Sequence, residues 1–273
     1  MRILNKISSY TFHSFILPSL DTLTFLAWGI LLFKYWLTGE IRLLIHPNYI
    51  GLVVVTGIIL LSIGLIKLFQ IYKKRKQTVR NGGEKIIQHV TLFPVGWSSF
   101  FLLSTAILGL SIPPTVLGSE TALQRGIRDS LPLTQTQPER FRVNVNPEDR
   151  SLIDWIKTIN TYPEPDEYQG EAVKVKGFVI KKETLPPHYF LIAQFIITCC
   201  AIDAYPVALP VKIEANQTQN YPPDTWLEIE GEMITETLNL DEEVYQEIPS
   251  ERQLVINAKT ITEIPTPKNP YGY

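Results

Sequence analysis

Two stretches of this chain run without a charge for lengths that soluble helices rarely sustain. They are residues 49–66, YIGLVVVTGIILLSIGLI, and residues 91–112, TLFPVGWSSFFLLSTAILGLSI, 18 and 22 positions long. A helix needs about 20 apolar residues to cross a ~30 Å hydrocarbon core, so each run predicts a membrane span. A further helix is expected at 18–37, with Asp21 near its start and Lys34 near its end. Lys34 can snorkel to an interface, where Tyr35 and Trp36 also belong. A cleaved signal peptide is the competing reading of this segment, but no small-residue cleavage site follows it. The expected membrane domain is residues 1–112, with three helices at 18–37, 49–69 and 91–112.

Charge divides the chain at the same place. Residues 1–112 hold 11 Lys/Arg against Asp21, Glu40 and Glu84, a net +8, while residues 113–273 hold 14 Lys/Arg against 24 Asp/Glu, a net −10. A domain so acidic repels nucleic-acid phosphates, which excludes nucleic acid as a partner. The basic loop after the second span contains Lys73, Lys74, Arg75, Lys76, Arg80 and Lys85. Such clusters stay cytoplasmic. The expected topology is therefore a multi-pass protein of the inner (plasma) membrane, with its N-terminus cytoplasmic and its C-terminal domain extracytoplasmic.

Pro113-Pro114 ends the helical part. Residues 113–160 read as a linker with a short helix at 147–160, begun by Asn146 or Pro147 and apolar at Leu152, Ile153 and Ile156. From residue 172 the period changes to two. Val173/Val175/Val179, Leu191/Ala193/Phe195/Ile197/Cys199, Val207/Leu209/Val211/Ile213, Leu227/Ile229/Met233 and Leu254/Ile256/Ala258 each give one apolar face. Five such strands predict a half-buried antiparallel sheet over 161–273. The expected fold class is thus three transmembrane helices plus an all-β domain, a five-stranded OB-like barrel with a sandwich as alternative.

The segment FIITCCAIDAYPV, 195–207, is richest in chemistry. On a strand, Cys199 would point inward and Cys200 outward. Three readings stand: buried structural thiols, a vicinal disulfide in an oxidising compartment, or a metal centre. Thiolates, the Asp203 carboxylate and the His188 imidazole suit Zn²⁺ or a similar divalent ion. His188 lies eleven residues before Cys199, however, and the set is not a recognised four-ligand spacing. His46 precedes Pro47 ahead of a span, either as a turn or as part of an ion path at the membrane surface. Asp21 either suits a helix N-terminus or serves a function within the membrane. The acidic run 241–247 reads as a solvated loop. No nucleophile elbow, P-loop, dinucleotide fingerprint or HExxH motif is present, so no enzyme activity is expected.

Several segments together resemble the YcgQ-like bacterial membrane proteins, described as permease subunits. They are His46-Pro47, PPTVLGSETALQRG at 113–126, Trp155, GFV at 177–179, the Cys199-Cys200-x-x-Asp203-Ala204 core, DTW at 224–226 with the following EIEG, and PKNPY at 267–271. The resemblance implies a larger multi-span permease as partner, a link to metal-ion handling, and a functional centre at the cysteine pair and Asp203. The expected function is an accessory subunit of a two-component permease, embedded in the lipid bilayer, whose outer domain binds substrate or metal ion or gates the partner. A membrane-anchored envelope module recognising a protein or glycan is the alternative, and a redox or metal enzyme using the cysteine pair is a third reading.

Overall fold

The computed structural model describes residues 17–77, 97–127, 146–162, 164–182, 185–213, 221–238 and 252–273. It divides into two compact units, Met1–Thr115 and Val116–Tyr273.

The described part of the first unit is built on three helices: α1 Leu17–Thr38, α2 Ile50–Gln77 and α3 Trp97–Ser111. Gly39, at φ 80, takes the left-handed conformation that lets the chain turn out of α1. α1 and α2 pack antiparallel at very short range. A Cβ on Gly29 would meet Leu61 at 2.6 Å, and one on Gly64 would meet Leu26 at 2.7 Å. Such small residues let helix backbones approach closely enough for continuous van der Waals contact.

α3 runs parallel to α1 along a row of hydrogen bonds. Ser99 Oγ donates to Asp21, Thr24 Oγ1 donates to the Ser99 carbonyl at 3.1 Å, and Trp28 Nε1 donates to that of Leu102 at 2.9 Å. Farther along, Tyr35 Oη donates to the Gly109 carbonyl at 2.6 Å and Lys34 Nζ to that of Leu110 at 2.9 Å. Carbonyls in a last helical turn lack partners within the helix, so Lys34 and Tyr35 cap α3.

Two described helices, Pro18–Thr38 and Pro47–Lys73, are long and apolar enough to cross a membrane, and α3 is not. The 15 described residues of α3 span roughly 22 Å, short of the hydrocarbon core. Residues 91–96, with Arg80, Lys85, His13 and His89, lie outside the described residues.

The second unit is a closed five-stranded barrel of β1 Ala172–Ile180, β2 Tyr189–Ile196, β3 Tyr205–Lys212, β4 Trp226–Thr237 and β5 Arg252–Glu263, with a short added strand β6 Tyr271–Gly272. Neighbours run β1-β4-β5-β3-β2, and β1 pairs with β2 to close the ring. The sheet is mixed, a correction to the antiparallel expectation: β3 and β5 are parallel at Val211↔Ile256 and Lys212↔Asn257. Closure rests on β1 changing partners, from β4 over 172–178 to β2 over 178–180. At the changeover a Cβ on Gly177 would stand 2.6 Å from the Ala193 carbonyl oxygen, so no other residue fits.

The core holds Val173, Val175, Val179, Val207, Leu209, Val211, Leu227, Ile229 and Ile256, the faces that strand alternation predicts. β2 is the exception. Its core face is Phe190, Ile192 and Ile196, while the expected Leu191, Ala193, Phe195 and Ile197 are also fully buried, on the other side. Phe195 stacks on Phe178 at 5.6 Å and meets Tyr271 edge-on, and Phe178 in turn touches Trp226. With both faces apolar, a period of two could not choose between them.

Helices α4 Ser119–Arg125 and α5 Leu152–Thr161 lie in the stretch expected as linker and pack on the barrel. α5 starts later than the expected 147, because Ser151 and Asp154 form a capping box, worth about 1 kcal/mol. It puts Leu152, Ile153, Trp155 and Ile156 into the core.

Gly177→Val should destabilise the barrel by about 3 kcal/mol, since the intruding side chain meets a backbone oxygen rather than a movable side chain. Denaturant unfolding followed by tryptophan fluorescence checks this; an unchanged midpoint would show that β1 closes the ring by other means.

Candidate functional site

β2 ends at Ile196 and β3 begins at Tyr205, so Cys199 and Cys200 do not sit on a strand. They lie in the turn between β2 and β3, with Cys199 exposed and Cys200 half-buried, which corrects the inward and outward placement. The turn is organised by Asp203. Its Oδ2 accepts the Cys199 N–H at 2.8 Å and its Oδ1 the Cys200 N–H at 3.1 Å, while the Asp203 N–H donates to the Cys200 carbonyl at 3.1 Å. A carboxylate reaching back to local N–H groups is the usual way an aspartate closes a tight turn.

The same turn brings the sulfurs together. The two Sγ atoms are 3.6 Å apart, and with an Asp203 oxygen they form a group whose ligand atoms all lie within 4.8 Å of one another. At a Zn–S bond of about 2.3 Å, that separation subtends an angle of about 103° at the metal, close to tetrahedral. The donor set therefore fits a thiophilic divalent ion with both thiols as ligands and room left for others. A vicinal disulfide would need the sulfurs at about 2.05 Å, and both cysteines are free thiols in this structure.

Electrostatics favour the protonated form of Cys199. The Asp203 carboxylate beside the Cys199 thiol, with the Cys200 sulfur next to it, pushes Cys199 up to about 12. Partial burial alone would raise Asp203. The Cys199 thiol and the backbone N–H groups of Cys200, Cys199 and Thr198 outweigh it and hold the carboxyl below its ordinary range.

His188 does not join this group. It is exposed at the opposite end of β2, roughly 26 Å of extended strand away, where its carbonyl accepts the Ile213 N–H. There Tyr189 and Lys212 both bind the Glu236 carboxylate. His46 serves its turn: its Nδ1 accepts the Asn48 N–H at 3.2 Å and caps the Pro47–Tyr49 turn ahead of α2. Asp21 lies beyond the first turn of α1 and is met by Ser99 and by Lys67 Nζ at 4.0 Å, so its partners are side chains of α3 and α2. Lys73, Lys74, Arg75 and Lys76 fall in the last turns of α2, with Lys73 exposed. The acidic run 241–247 lies outside the described residues.

One residue of the site carried no chemical role in the sequence. Arg125, the last residue of α4, donates from Nη1 to the carbonyls of Ala201, at 3.0 Å, and Ala204. Its only sequence signal is its place in the 113–126 segment, 74 residues before Cys199.

A helical unit followed by a thiol-bearing closed barrel defines the class of chain. This chain belongs to the DUF1980 family: the DUF1980 N-terminal domain matches residues 20–128 and the DUF1980 C-terminal domain matches residues 132–273. No curated protein and no solved structure matches it.

Replacing Asp203 by Asn removes the anion that holds the Cys199 proton, so the thiol falls back toward its ordinary range and more thiolate is present at pH 8. Iodoacetamide labelling of Cys199 at pH 8, resolved by tandem mass spectrometry, should accelerate by at least about tenfold. Equal rates in the two proteins would remove Asp203 as the controlling charge.

Proposed function

We propose that this chain is the accessory subunit of a two-component membrane permease, and that its barrel binds a thiophilic divalent ion such as Zn²⁺ outside the cytoplasm. The observation that carries this reading is the thiol pair with Asp203, presented on an exposed, hydrogen-bonded turn rather than buried in the core. An open site with few protein ligands suits an ion that must enter and leave, whereas structural zinc sites are closed by four. Binding must displace the thiol protons, so affinity rises with pH.

The membrane part of the proposal rests on the helices. Little of the apolar surface of Pro47–Lys73 is buried within the protein, and Leu52, Val55, Ile59, Ile66 and Phe69 are exposed. A lipid bilayer or a multi-span partner is the natural cover for such a surface. α3 runs parallel to α1, so it leads the chain out at the end where the Glu40–Asn48 loop lies, away from Lys73–Lys76. That direction, with the positive-inside tendency, supports a cytoplasmic N-terminus and an extracytoplasmic barrel once α3 completes a crossing together with the residues before it. The α1 groups Thr24, Trp28, Lys34 and Tyr35 are spent on α3 carbonyls, leaving little with which to line a transport path. This helical unit is better suited to docking on a permease than to being one, as the resemblance to YcgQ-like permease subunits also implies.

The strand order 1-2-3-5-4 with β3 and β5 parallel supports an OB-type barrel. OB folds bind oligonucleotides and oligosaccharides on the face of strands 2 and 3. Here the outer face of β2 is buried, with Phe195 held between Phe178 and Tyr271, which weighs against a glycan-binding module.

Purified from its native membrane in mild detergent, the chain should bring a multi-span protein with it at a fixed ratio and bind Zn²⁺ in equilibrium dialysis. Binding should tighten between pH 6 and pH 8 and be lost in the Cys199→Ser/Cys200→Ser double variant. A lone chain that binds no zinc would sink both halves of the proposal; zinc binding without a companion would leave a free-standing metal-binding anchor.

A further inference from the structure

The turn that carries the thiols does not hold itself together unaided. Asp203 organises it from within, but the carbonyls of Ala201 and Ala204 lie beyond the reach of the β2–β3 ladder, which stops at Ile196↔Tyr205. Both are bound by one guanidinium, that of Arg125. Both bonds leave the same nitrogen, Nη1, whose N–H directions the planar guanidinium fixes, where a flexible ammonium would hold them only loosely.

Arg125 is itself fixed. At the start of α4 the Ser119 N–H donates to Asp224, and just before it the Leu117 N–H donates to Tyr271 Oη at 2.9 Å. Ala122 and, just past the helix, Ile127 are fully buried. The strap is therefore anchored to the barrel on both sides of the arginine's reach. It also belongs to the residues matched by the N-terminal family domain, whereas the thiol turn belongs to the C-terminal one.

We propose that Arg125 is the positioning residue of the metal site: it sets the spacing and orientation of the Cys199 and Cys200 sulfurs through the two carbonyls it clamps. The inference rests on the metal reading of the thiol pair. Charge points the same way. Two thiolates and a carboxylate carry three negative charges, a divalent ion cancels two, and the guanidinium beneath the turn offsets the third. Groups behind the ligands commonly change metal affinity by 10- to 100-fold when removed, and Arg125 acts from that position.

The test uses the full chain in detergent micelles and Co²⁺ alone as the probe, titrated by the thiolate-to-cobalt absorption band. Arg125→Ala should weaken Co²⁺ binding by about 10-fold or more and shift the band, because the sulfurs no longer hold their angle. Arg125→Lys should recover part of both, since one ammonium can still reach a carbonyl. Lys259→Ala, which breaks a surface ion pair with Glu232 elsewhere on the barrel, should change neither. Wild-type affinity and spectrum in Arg125→Ala would overturn the proposal while leaving the metal site intact. If Arg125→Ala loses its cooperative unfolding transition, Arg125→Lys decides: an unaltered band overturns the role and a weakened, shifted one supports it. A wild-type chain that takes up no Co²⁺ overturns the metal reading and this inference together.

Discussion

The second unit depends on one backbone contact. β1 leaves β4 and turns onto β2 at Gly177, where the chain passes so close to the Ala193 carbonyl that a single methyl group would block it. Without that approach the five strands would remain an open, curled sheet with β1 and β2 as free edges. With it the sheet closes on a core of valines, leucines and isoleucines, and α5 adds Trp155 and its neighbours to the same core. Closure also fixes where β2 ends. The thiol turn is the chain's way from β2 to β3, so its geometry descends from the barrel's.

The turn then works by dividing labour between charges. Asp203 satisfies N–H groups that a short connection would leave bare, and the same carboxylate keeps Cys199 a thiol. A group that stabilises a loop and suppresses a nucleophile at once leaves Cys199 slow toward stray electrophiles.

Much of this could be read from residues alone, and the failures have physical causes. Alternation placed the core faces of β1, β4 and β5 because the opposite face is charged: Lys174 reaches Glu228 and Glu230, and Lys259 reaches Glu232. In β3 the larger Val207, Leu209 and Val211 marked the core face against Pro206, Ala208 and Pro210, which are buried as well. β2 lacks that contrast, since its second apolar face lies beneath an aromatic layer, and its period ran on past Ile196 into the cysteines. Hydropathy marked three helices, of which two are long and apolar enough among the described residues to cross a membrane. The pairing of Cys199, Cys200 and Asp203 was legible, as all three lie within five positions. Arg125 was not, since an arginine that clamps two carbonyls leaves no spacing pattern. His188 failed as a ligand for the plainest reason: a whole strand separates it from the sulfurs.

β6 has a consequence for how this domain keeps to itself. Where β1 ends its pairing with β2, the stretch of β2 near Phe195 and Ile196 would present open N–H and C=O groups. Instead Tyr271 and Gly272 run alongside it, and the Ile197 N–H donates to the Gly272 carbonyl. An uncovered strand edge is a template on which other chains can add. A two-residue strand is a small cover, yet it occupies the gap that closure leaves. A domain crowded beside its own copies would otherwise carry the starting point of its own polymer.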